Sequence, residues 1–409
     1  MTQTISVDSP RIAPPEPDLT PAELLRRAVA LRPLLRERQA ECEAIGKVPD
    51  DVNDRLVREG FYRVVQPRRF GGYEFGIPDF YRVMMEIGRG CSETGWVLSL
   101  TSGHPFMAAF FSEEGQRDVY GATGDFRCPA GFNPPGSAIA VDGGYRVTGS
   151  WVSASGIDHS THFVTQATVI DPATREPVGA RLMLLRRDEY TILDDWLVMG
   201  MQGTGSKSVV AKDLFVPERR AAKLRGTGLI TEVTYPGPRV HDNPMYYGRI
   251  GAFLSGEGAA IAVGAARAAL DLYDDLLSNK RPTQRPQLDR TKDPEYHHYY
   301  GRALGLIATA EAALLRQGEA YMEATREETA GGAAFSVARE LELTMIAVYA
   351  IQLAWDAIEL IYRTAGTSAS VKQGQPIGRI FRNIAAIRTH PLNQLDRLGL
   401  KAARNHFGA

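Results

Sequence analysis

The chain is poor in cysteine and carries almost no net charge. Its 409 residues include only three cysteines, Cys42, Cys91 and Cys128, which lie far apart and form no CxxC pair. Neither a disulfide framework nor a structural zinc site is therefore expected. Lys and Arg number 47 against 48 Asp and Glu, and the two signs are mixed along the chain. Because no overall field attracts nucleic acid or an acidic membrane, neither is expected as a partner.

Long uninterrupted apolar runs are also missing. Met1 to Pro17 is polar and rich in proline without an apolar signal segment, and the most apolar later run, Leu343 to Ile361, is interrupted by charged and amide side chains. These features predict a cytoplasmic protein with no membrane span. Residues 1–18 are predicted to be disordered.

The usual phosphate-binding signatures do not occur either. There is no Walker sequence, and Gly203-Thr204-Gly205 precedes a strand-like run, whereas a dinucleotide fingerprint follows a strand. We therefore expect no Rossmann unit for NADH. His159 and His162 form an HxxH in a loop with no carboxylate partner at a suitable spacing, so no metal site is predicted.

The periodicity of apolar residues changes twice along the chain. Residues 19–125 carry them at three- and four-residue steps, as in Leu24, Ala28 and Leu31, which predicts an α-helical domain. Residues 126–238 hold short β-type runs separated by Gly, Pro and Asp, which predict a small antiparallel β-barrel. Helical periodicity returns over residues 239–409 and predicts a four-helix bundle. This order indicates an α+β fold and not a doubly wound sheet.

Four segments carry a family resemblance. They are Gly95-Trp96 with Ser102-Gly103-His104, the run from Val141 to Gly156 around Trp151, Gly203-Thr204-Gly205-Ser206 before Asp213 to Pro217, and Ile380 to Asn383 before His390-Pro391. With these segments the chain resembles the acyl-CoA dehydrogenase superfamily from Leu24 onward. Within it, the chain is similar to two-component flavin-dependent monooxygenases that hydroxylate phenols and related aromatics.

The resemblance implies a function, a cofactor and partners. The chain would be an oxygenase component that takes reduced flavin, FMNH2 or FADH2, from a separate NAD(P)H-dependent flavin reductase. With O2 it would hydroxylate a small aromatic substrate through a C4a-hydroperoxyflavin. An N- or S-oxygenase on the same scaffold is an alternative, and the resemblance decides neither the substrate nor the choice between FMN and FAD. It also implies a homotetramer, because the C-terminal bundle of the resembled family packs against its copies.

The segment around Trp151 is the most informative part of the resemblance. In the resembled family this strand lies along the flavin ring, so Trp151, Ser153 and Ser155 are candidate cofactor-binding residues. Ser155 is the first choice for holding the proton on flavin N5, because a serine oxygen can accept a proton without acting as a base. The alternative is that both serines face solvent on alternate residues of a strand.

Two histidines are candidate catalytic residues. The resemblance places His104, with Trp96, at the flavin and substrate pocket, although a purely structural histidine is the alternative. It places His390 near the substrate, where a pKa close to neutrality would suit removal of a phenolic proton. The alternative for His390 is a helix cap.

Other candidates concern the flavin phosphate and ring. Backbone amides of the turn that contains Gly205 and Ser206 can hold phosphate oxygens, although a plain β-turn has the same composition. Arg379 and Arg249 are further candidates, but arginines on bundle helices are more often solvated or paired with carboxylates.

Two other functions are open on the sequence. An acyl-CoA dehydrogenase would need a glutamate base, and Glu257, flanked by Gly256 and Gly258, lies in the region where some dehydrogenases place one. A non-catalytic protein that kept the fold is the second. The Gly- and Ala-rich stretch 251–269 suggests room near the flavin.

Overall fold

The computed structural model describes residues 11–224, 237–279 and 289–408. The helices in these residues are α1 (Pro21–Ile45), α2 (Asp50–Arg58), α3 (Ile77–Gly90), α4 (Ser92–Gly103), α5 (Pro105–Ala108), α6 (Glu113–Tyr120), α7 (Ile250–Asn279), α8 (Pro294–Thr329), α9 (Val337–Thr364), α10 (Thr367–Ser370), α11 (Pro376–Arg388) and α12 (Leu395–Phe407). The strands are β1 (Ala130–Val141), β2 (Gly144–Ala154), β3 (His162–Ile170), β4 (Pro177–Arg186), β5 (Thr191–Ile192), β6 (Lys207–Pro217) and β7 (Ala221–Leu224). The predicted α+β order of helices, strands and helices is confirmed.

Part of the segment predicted to be disordered is packed against the first helical layer. Ile12 N–H donates to the carbonyl of Arg69 at 3.1 Å, and Arg27 of α1 binds Glu16 through both terminal nitrogens. Residues 11–18 are therefore ordered, because these contacts tie them to α1 and to the turn at Arg69. Residues 1–10 lie outside the described part of the chain.

The helices of the N-terminal layer begin and end at residues suited to capping. Thr20 accepts the Glu23 N–H at the start of α1, and α1 ends at Gly46, which has a left-handed φ of 66°. Cys91 occupies the N-cap of α4, where its Sγ accepts the Thr94 N–H at 3.5 Å. These caps fix where α1 ends and where α4 begins, and both positions lie near the candidate site.

The central domain is one seven-stranded sheet in the order β5-β6-β2-β1-β3-β4-β7. Apolar side chains from five of its strands pack around Trp151 and Phe163 to form a core of their own. The β1–β3 pair is parallel and the other pairs are antiparallel, so the sheet is mixed and not fully antiparallel as predicted. The parallel pair arises because the chain, after β2, crosses to the far side of β1.

The C-terminal helices pack as a bundle in which α9 contacts α7, α8 and α11, α7 contacts α8 and α11, and α7 also packs on α3 and α4. The glycines of α7 allow this close approach, because a Cβ at Gly256 would overlap the Tyr81 hydroxyl and one at Gly264 would overlap the Met85 carbonyl oxygen. Gly256 and Gly264 therefore serve helix packing, whereas a Cβ at Gly258 would be in ordinary contact with the Trp96 ring, so room near a cofactor stays a prediction.

Two helices are long and apolar enough to cross a membrane by length and composition alone. They are α7 and α9, and 89% and 56% of their most apolar windows are buried inside the fold. The core helix of a globular domain passes the same test, so this property is weak evidence for a membrane span.

Candidate functional site

Three parts of the chain meet at Ser155. Trp96 lies on the second turn of α4, Ser155 directly follows β2, and Ser206 directly precedes β6. Trp96 Nε1 donates to Ser155 Oγ at 3.0 Å, and Ser155 Oγ lies 2.8 Å from Ser206 Oγ. Ser206 Oγ in turn lies 2.6 Å from Thr204 Oγ1. We call Trp96, Ser155, Ser206 and Thr204 the hydroxyl cluster; all four side chains are buried.

The direction of each hydrogen bond in the hydroxyl cluster follows from the bond between Thr204 and the Met201 carbonyl, where the chain of bonds ends. Thr204 Oγ1 lies 2.7 Å from the carbonyl oxygen of Met201, which can only accept, so the Thr204 proton is used there. Ser206 must therefore donate to Thr204, and Ser155 must donate to Ser206. Ser155 Oγ also accepts from Trp96, so one of its two lone pairs stays free. The cluster thus leaves Ser155 as an acceptor.

A break in β2 separates Ser155 from Ser153. Strict strand alternation would place Trp151, Ser153 and Ser155 on one face. Ser153 instead has a φ of 63°, and the pairing of β2 with β6 is irregular between Trp151 and Ala154. As a result Ser153 is exposed and lies outside the hydroxyl cluster, whereas Ser155 is buried within it.

Trp151 does not line the site, contrary to the cofactor-binding role expected for it. Its ring is fully buried in the core of the sheet beside Phe163, and its Nε1 donates to the Gln166 carbonyl at 3.1 Å. Because no part of the ring is accessible, this residue stabilises the sheet.

His390 lies next to the hydroxyl cluster and combines two of the expected features. Its ring packs edge-on against Trp96 with centroids 5.8 Å apart. It also caps the turn at residues 391–393, because its Nδ1 accepts the Leu392 N–H at 3.4 Å. Burial lowers its pKa to about 4, so a pKa near neutrality, as expected for a base, is not found. With Nδ1 accepting, the proton of the neutral ring lies on Nε2.

His104 is held apart from the hydroxyl cluster. It follows the last residue of α4, eight residues after Trp96, or about 12 Å along the helix axis. Its Nδ1 donates to the Cys128 carbonyl at 2.7 Å, and burial lowers its pKa to about 4. The ring is therefore neutral, with Nε2 as an acceptor.

The amides of the glycine turn are largely engaged within the protein. Gly203 N–H donates to Glu93 Oε1 at 2.7 Å, Thr204 N–H donates to the Met201 carbonyl, and Gly205 N–H points to the Gln202 carbonyl. A phosphate would have to displace these bonds. The turn that carries Gly205 and Ser206 is thus better described as a wall of the hydroxyl cluster than as a phosphate cradle.

Both candidate arginines form ion pairs with buried or partly buried carboxylates. Arg379 Nε donates to Glu43 of α1 at 2.7 Å, and Arg382 pairs with the same carboxylate. Arg249 Nε donates to Glu340 at 2.6 Å. The alternative that these arginines pair with carboxylates is what the structure shows, and it does not bring Arg379 to the hydroxyl cluster.

Asn383 connects three parts of the chain behind the site, and the sequence reasoning did not assign it this role. Its Oδ1 accepts the Met201 N–H at 2.7 Å, and its Nδ2 donates to Ser92 Oγ at 2.9 Å. It therefore fixes the Met201 end of the hydroxyl cluster to α4 and α11. Thr204, which sets the direction of the cluster, was also missed, although it lies inside a segment that carries the resemblance.

Glu257 is buried between α7 and α4. A Cβ at Gly103 would overlap its Oε1, and neither carboxylate oxygen has a hydrogen-bond partner among the residues that the structure describes. Burial raises its pKa well above the usual value, so it is held as the neutral acid. We call Gly103 and Glu257 the α4–α7 contact. Glu257 has no exposed surface from which it could act as the base of a dehydrogenase.

Comparison with known proteins agrees with this architecture. Family models described as the acyl-CoA dehydrogenase N-terminal and C-terminal domains match residues 25–121 and 258–394. The chain is 32% identical to the oxygenase subunit HsaA of a flavin-dependent monooxygenase from Rhodococcus jostii (strain RHA1), over 94% of this chain and 98% of that protein. It is 27% identical to the oxygenase component of an FADH2-dependent resorcinol hydroxylase from Rhizobium sp. (strain MTP-10005), over 94% of each. The crystal structure of 3-HSA hydroxylase from Rhodococcus sp. RHA1 superposes with a TM-score of 0.86 at 30% identity, over 94% of this chain and 97% of that one.

Proposed function

Because the chain belongs to the acyl-CoA dehydrogenase superfamily, in its branch of flavin-dependent monooxygenase oxygenase components, we propose that it hydroxylates a small aromatic substrate. In this proposal O2 is the co-substrate, and a separate NAD(P)H-dependent reductase supplies the flavin as FADH2 or FMNH2. The names of the relatives, which include a resorcinol hydroxylase, support a phenolic substrate.

The free lone pair of Ser155 is the observation that carries the proposal. Reduced flavin, when bound, supplies two electrons to O2 and presents an N–H at N5. Ser155 fits this group, because its own proton is donated to Ser206 and one lone pair is left to accept. Ser206 and Thr204 hold Ser155 in this orientation. Holding that proton keeps the oxidising equivalent for the substrate and prevents its loss as hydrogen peroxide.

A set of three serine variants tests this assignment. Ser155→Ala removes the acceptor, and Ser206→Ala removes the group that orients it. Both should shift the ratio of hydroxylated product to hydrogen peroxide by about 5–150-fold, equivalent to about 1–3 kcal/mol for one polar contact. Ser153→Ala is the matched control, since this exposed serine lies outside the hydroxyl cluster, and it should leave the ratio unchanged.

A second readout separates loss of proton holding from loss of binding. The dissociation constant for oxidised flavin, measured by fluorescence quenching, should change less than threefold in all three variants, because oxidised flavin has no N5–H. If Ser153→Ala releases as much hydrogen peroxide as Ser155→Ala, the assignment of Ser155 is wrong. If Ser206→Ala behaves as wild type, the orienting role is wrong.

For the substrate we propose that His390 donates from Nε2 to the phenolic oxygen. This role differs from that of a general base, because Nδ1 is used by the Leu392 N–H and burial keeps the pKa at about 4. A phenolate oxygen that accepts this bond would be held near Trp96, against which the His390 ring packs. His104, a neutral acceptor at Nε2, would bind a donor group at the far end of the substrate.

The need for a reductase is tested by omission. Without a Rossmann signature we expect no product from the purified chain with NADH alone, and full turnover when a flavin reductase is added. NADH oxidation by the purified chain at a rate equal to product formation would contradict a two-component system.

We also propose a homotetramer in the cytoplasm. Leu197 and Met199 are 94% and 65% exposed on the segment that leads into the glycine turn, where packing of another copy would cover them. Free buried thiols and a partner that uses NAD(P)H both suit a reducing compartment. Sedimentation at micromolar concentration should give four copies, and a monomer would contradict the proposal.

A further inference from the structure

Two cysteines and a glutamate converge behind the glycine turn. Cys42 comes from α1, Cys91 caps α4, and Glu93 lies in the first turn of α4. Their ligand atoms, the two Sγ and one carboxylate oxygen, all lie within 4.8 Å of one another. The side chains are 1%, 2% and 1% exposed. We call this group the thiol cluster; it lies outside the hydroxyl cluster and takes no part in the proposed reaction.

One oxygen of Glu93 points to a missing partner. Oε1 accepts the Gly203 N–H at 2.7 Å, but Oε2 is buried and has no hydrogen-bond partner in the described ranges of the chain. A carboxyl oxygen buried in this way is costly unless something binds it, whether the group is ionised or protonated. One carboxylate oxygen of Glu93 lies within 4.8 Å of both sulfur atoms.

We propose that Cys42, Cys91 and Glu93 bind a thiophilic divalent cation of the zinc class. Two thiolates and a carboxylate are ordinary ligands of such an ion, with metal–sulfur distances of about 2.3 Å and metal–oxygen distances of about 2.0–2.2 Å. Around a tetrahedral ion these lengths place the donor atoms about 3.4–3.8 Å apart, which lies within the 4.8 Å spacing of the cluster. A water molecule or the Gly203 carbonyl, 3.4 Å from Cys42 Sγ, would complete the coordination.

The surroundings of the thiol cluster suit a bound ion. Thr94 N–H donates to Cys91 Sγ, and Gly203 N–H donates to Glu93 Oε1, so two of the three ligands are oriented by backbone amides.

The ion would tie α1, α4 and the glycine turn together. Binding displaces the thiol protons to solvent and leaves two thiolates and a carboxylate on one cation. Because Gly203 and Ser206 belong to the same turn, the ion would stabilise the wall of the hydroxyl cluster without touching Ser155. Its role is therefore structural.

Cobalt titration of the untagged full-length protein tests the proposal. The protein is first stripped with a chelator under reducing conditions and then titrated with Co2+ alone. One equivalent should produce sulfur-to-cobalt charge-transfer absorption in the near ultraviolet, and Zn2+ should abolish it. Cys42→Ala and Cys91→Ala should lose this absorption. Cys128→Ala is the matched control, because Cys128 is equally buried but outside the cluster, and it should keep the absorption.

Glu93→Gln keeps the volume of the side chain and an acceptor for the Gly203 N–H, and it should weaken cobalt binding by more than about tenfold. This variant also tests the proposal if a cysteine variant fails to fold, which circular dichroism would reveal. The proposal is overturned if the stripped, folded protein gives no charge-transfer absorption. It is equally overturned if the absorption persists in both cysteine variants, or if Cys42 and Cys91 are found joined as a disulfide that excludes the ion.

Discussion

The hydroxyl cluster and the α4–α7 contact both bury polar groups, but only the hydroxyl cluster provides them with hydrogen-bond partners among the described residues. In the hydroxyl cluster each donor has an acceptor, and the chain of bonds runs from Trp96 and Ser155 to the Met201 carbonyl. In the α4–α7 contact the Glu257 carboxyl has no partner in the described parts of the chain and is held by packing alone. The first region owes its geometry to hydrogen bonds between neutral groups and should be insensitive to pH. The stability of the α4–α7 contact should change with pH, because Glu257 can ionise, and with the volume of the side chains packed there.

His104 extends this comparison, because it lies beside Gly103 and titrates in the opposite sense. Burial lowers the pKa of His104 to about 4 and raises that of Glu257, so both are neutral in the folded protein. The unfolded chain would ionise His104 on acidification and Glu257 on alkalinisation. Stability should therefore fall on both sides of an intermediate pH.

The largest effect on stability is expected from Gly103→Ala. The added Cβ overlaps Glu257 Oε1, and overpacking of this kind costs about 3 kcal/mol where the neighbours cannot move. Glu257→Ala in the same chain should recover part of that loss, because it empties the space that the new methyl group needs. Urea denaturation of the two single variants and the double variant measures the coupling. Strict additivity would show that Gly103 and Glu257 do not share this space.

The next effect is a loss of hydroxylation activity on substitution of His390, which packs against Trp96 of the hydroxyl cluster. His390→Asn keeps an acceptor for the Leu392 N–H but removes the Nε2 donor, so hydroxylation should fall about 10–150-fold, equivalent to about 1.5–3 kcal/mol for a bond to a charged oxygen. His390→Gln, which retains a donor near the position of Nε2, should lose less. Steady-state product formation across pH 6 to 8 distinguishes the roles. A wild-type limb near pH 6.5 that His390→Asn removes would show a general base and not a donor.

At pH 6 a smaller effect on stability is expected from Glu257→Gln, and it grows as the pH rises. The folded-state pKa of Glu257 is raised, so its contribution is fully present below pH 4.5 and is lost as the pH rises above that value. The variant cannot ionise, and it should gain stability over wild type by up to about 1.4 kcal/mol per pH unit within that range. Thermal unfolding from pH 5 to pH 8 measures this difference. A difference that stays constant with pH would mean that Glu257 is ionised in the folded protein.

The smallest effect is expected from His104→Asn. The amide nitrogen of Asn can replace Nδ1 as donor to the Cys128 carbonyl, so stability at pH 7 should change by less than about 1 kcal/mol. Because the folded-state pKa is lowered, the wild-type protein loses stability as the pH falls from 6.5 to about 4. In the variant, the slope of the unfolding free energy with pH should be smaller by the contribution of one proton. The pKa values of His162, His241 and His390 are lowered similarly, so part of the loss of stability at acid pH should remain in the variant. An unchanged slope in the variant would show that His104 is protonated in the folded state.

The sequence by itself determined the order of helices and strands and the family. Helical periodicity and β-type runs depend on neighbours within a few residues, so they can be recognised from the linear sequence. The segments around Trp96, Trp151, Gly203 and His390 could be named in advance for the same reason, since a resemblance is a property of the linear sequence. The candidate residues Trp96, Ser155 and Ser206 come from three of these segments and meet in the fold.

Only the tertiary structure decided which members of those segments share a site. Strand alternation treats Ser153 and Ser155 alike, but a positive φ at Ser153 turns one outward and the other inward. Wide spacing along the chain argued against pairing of Cys42 with Cys91, yet α1 and α4 bring them together. The directions of the bonds in the hydroxyl cluster, the burial of Trp151 and the lack of a hydrogen-bond partner for Glu257 among the described residues depend on groups far apart in sequence. No local pattern encodes such contacts, because they form only when the helical layers close on the sheet.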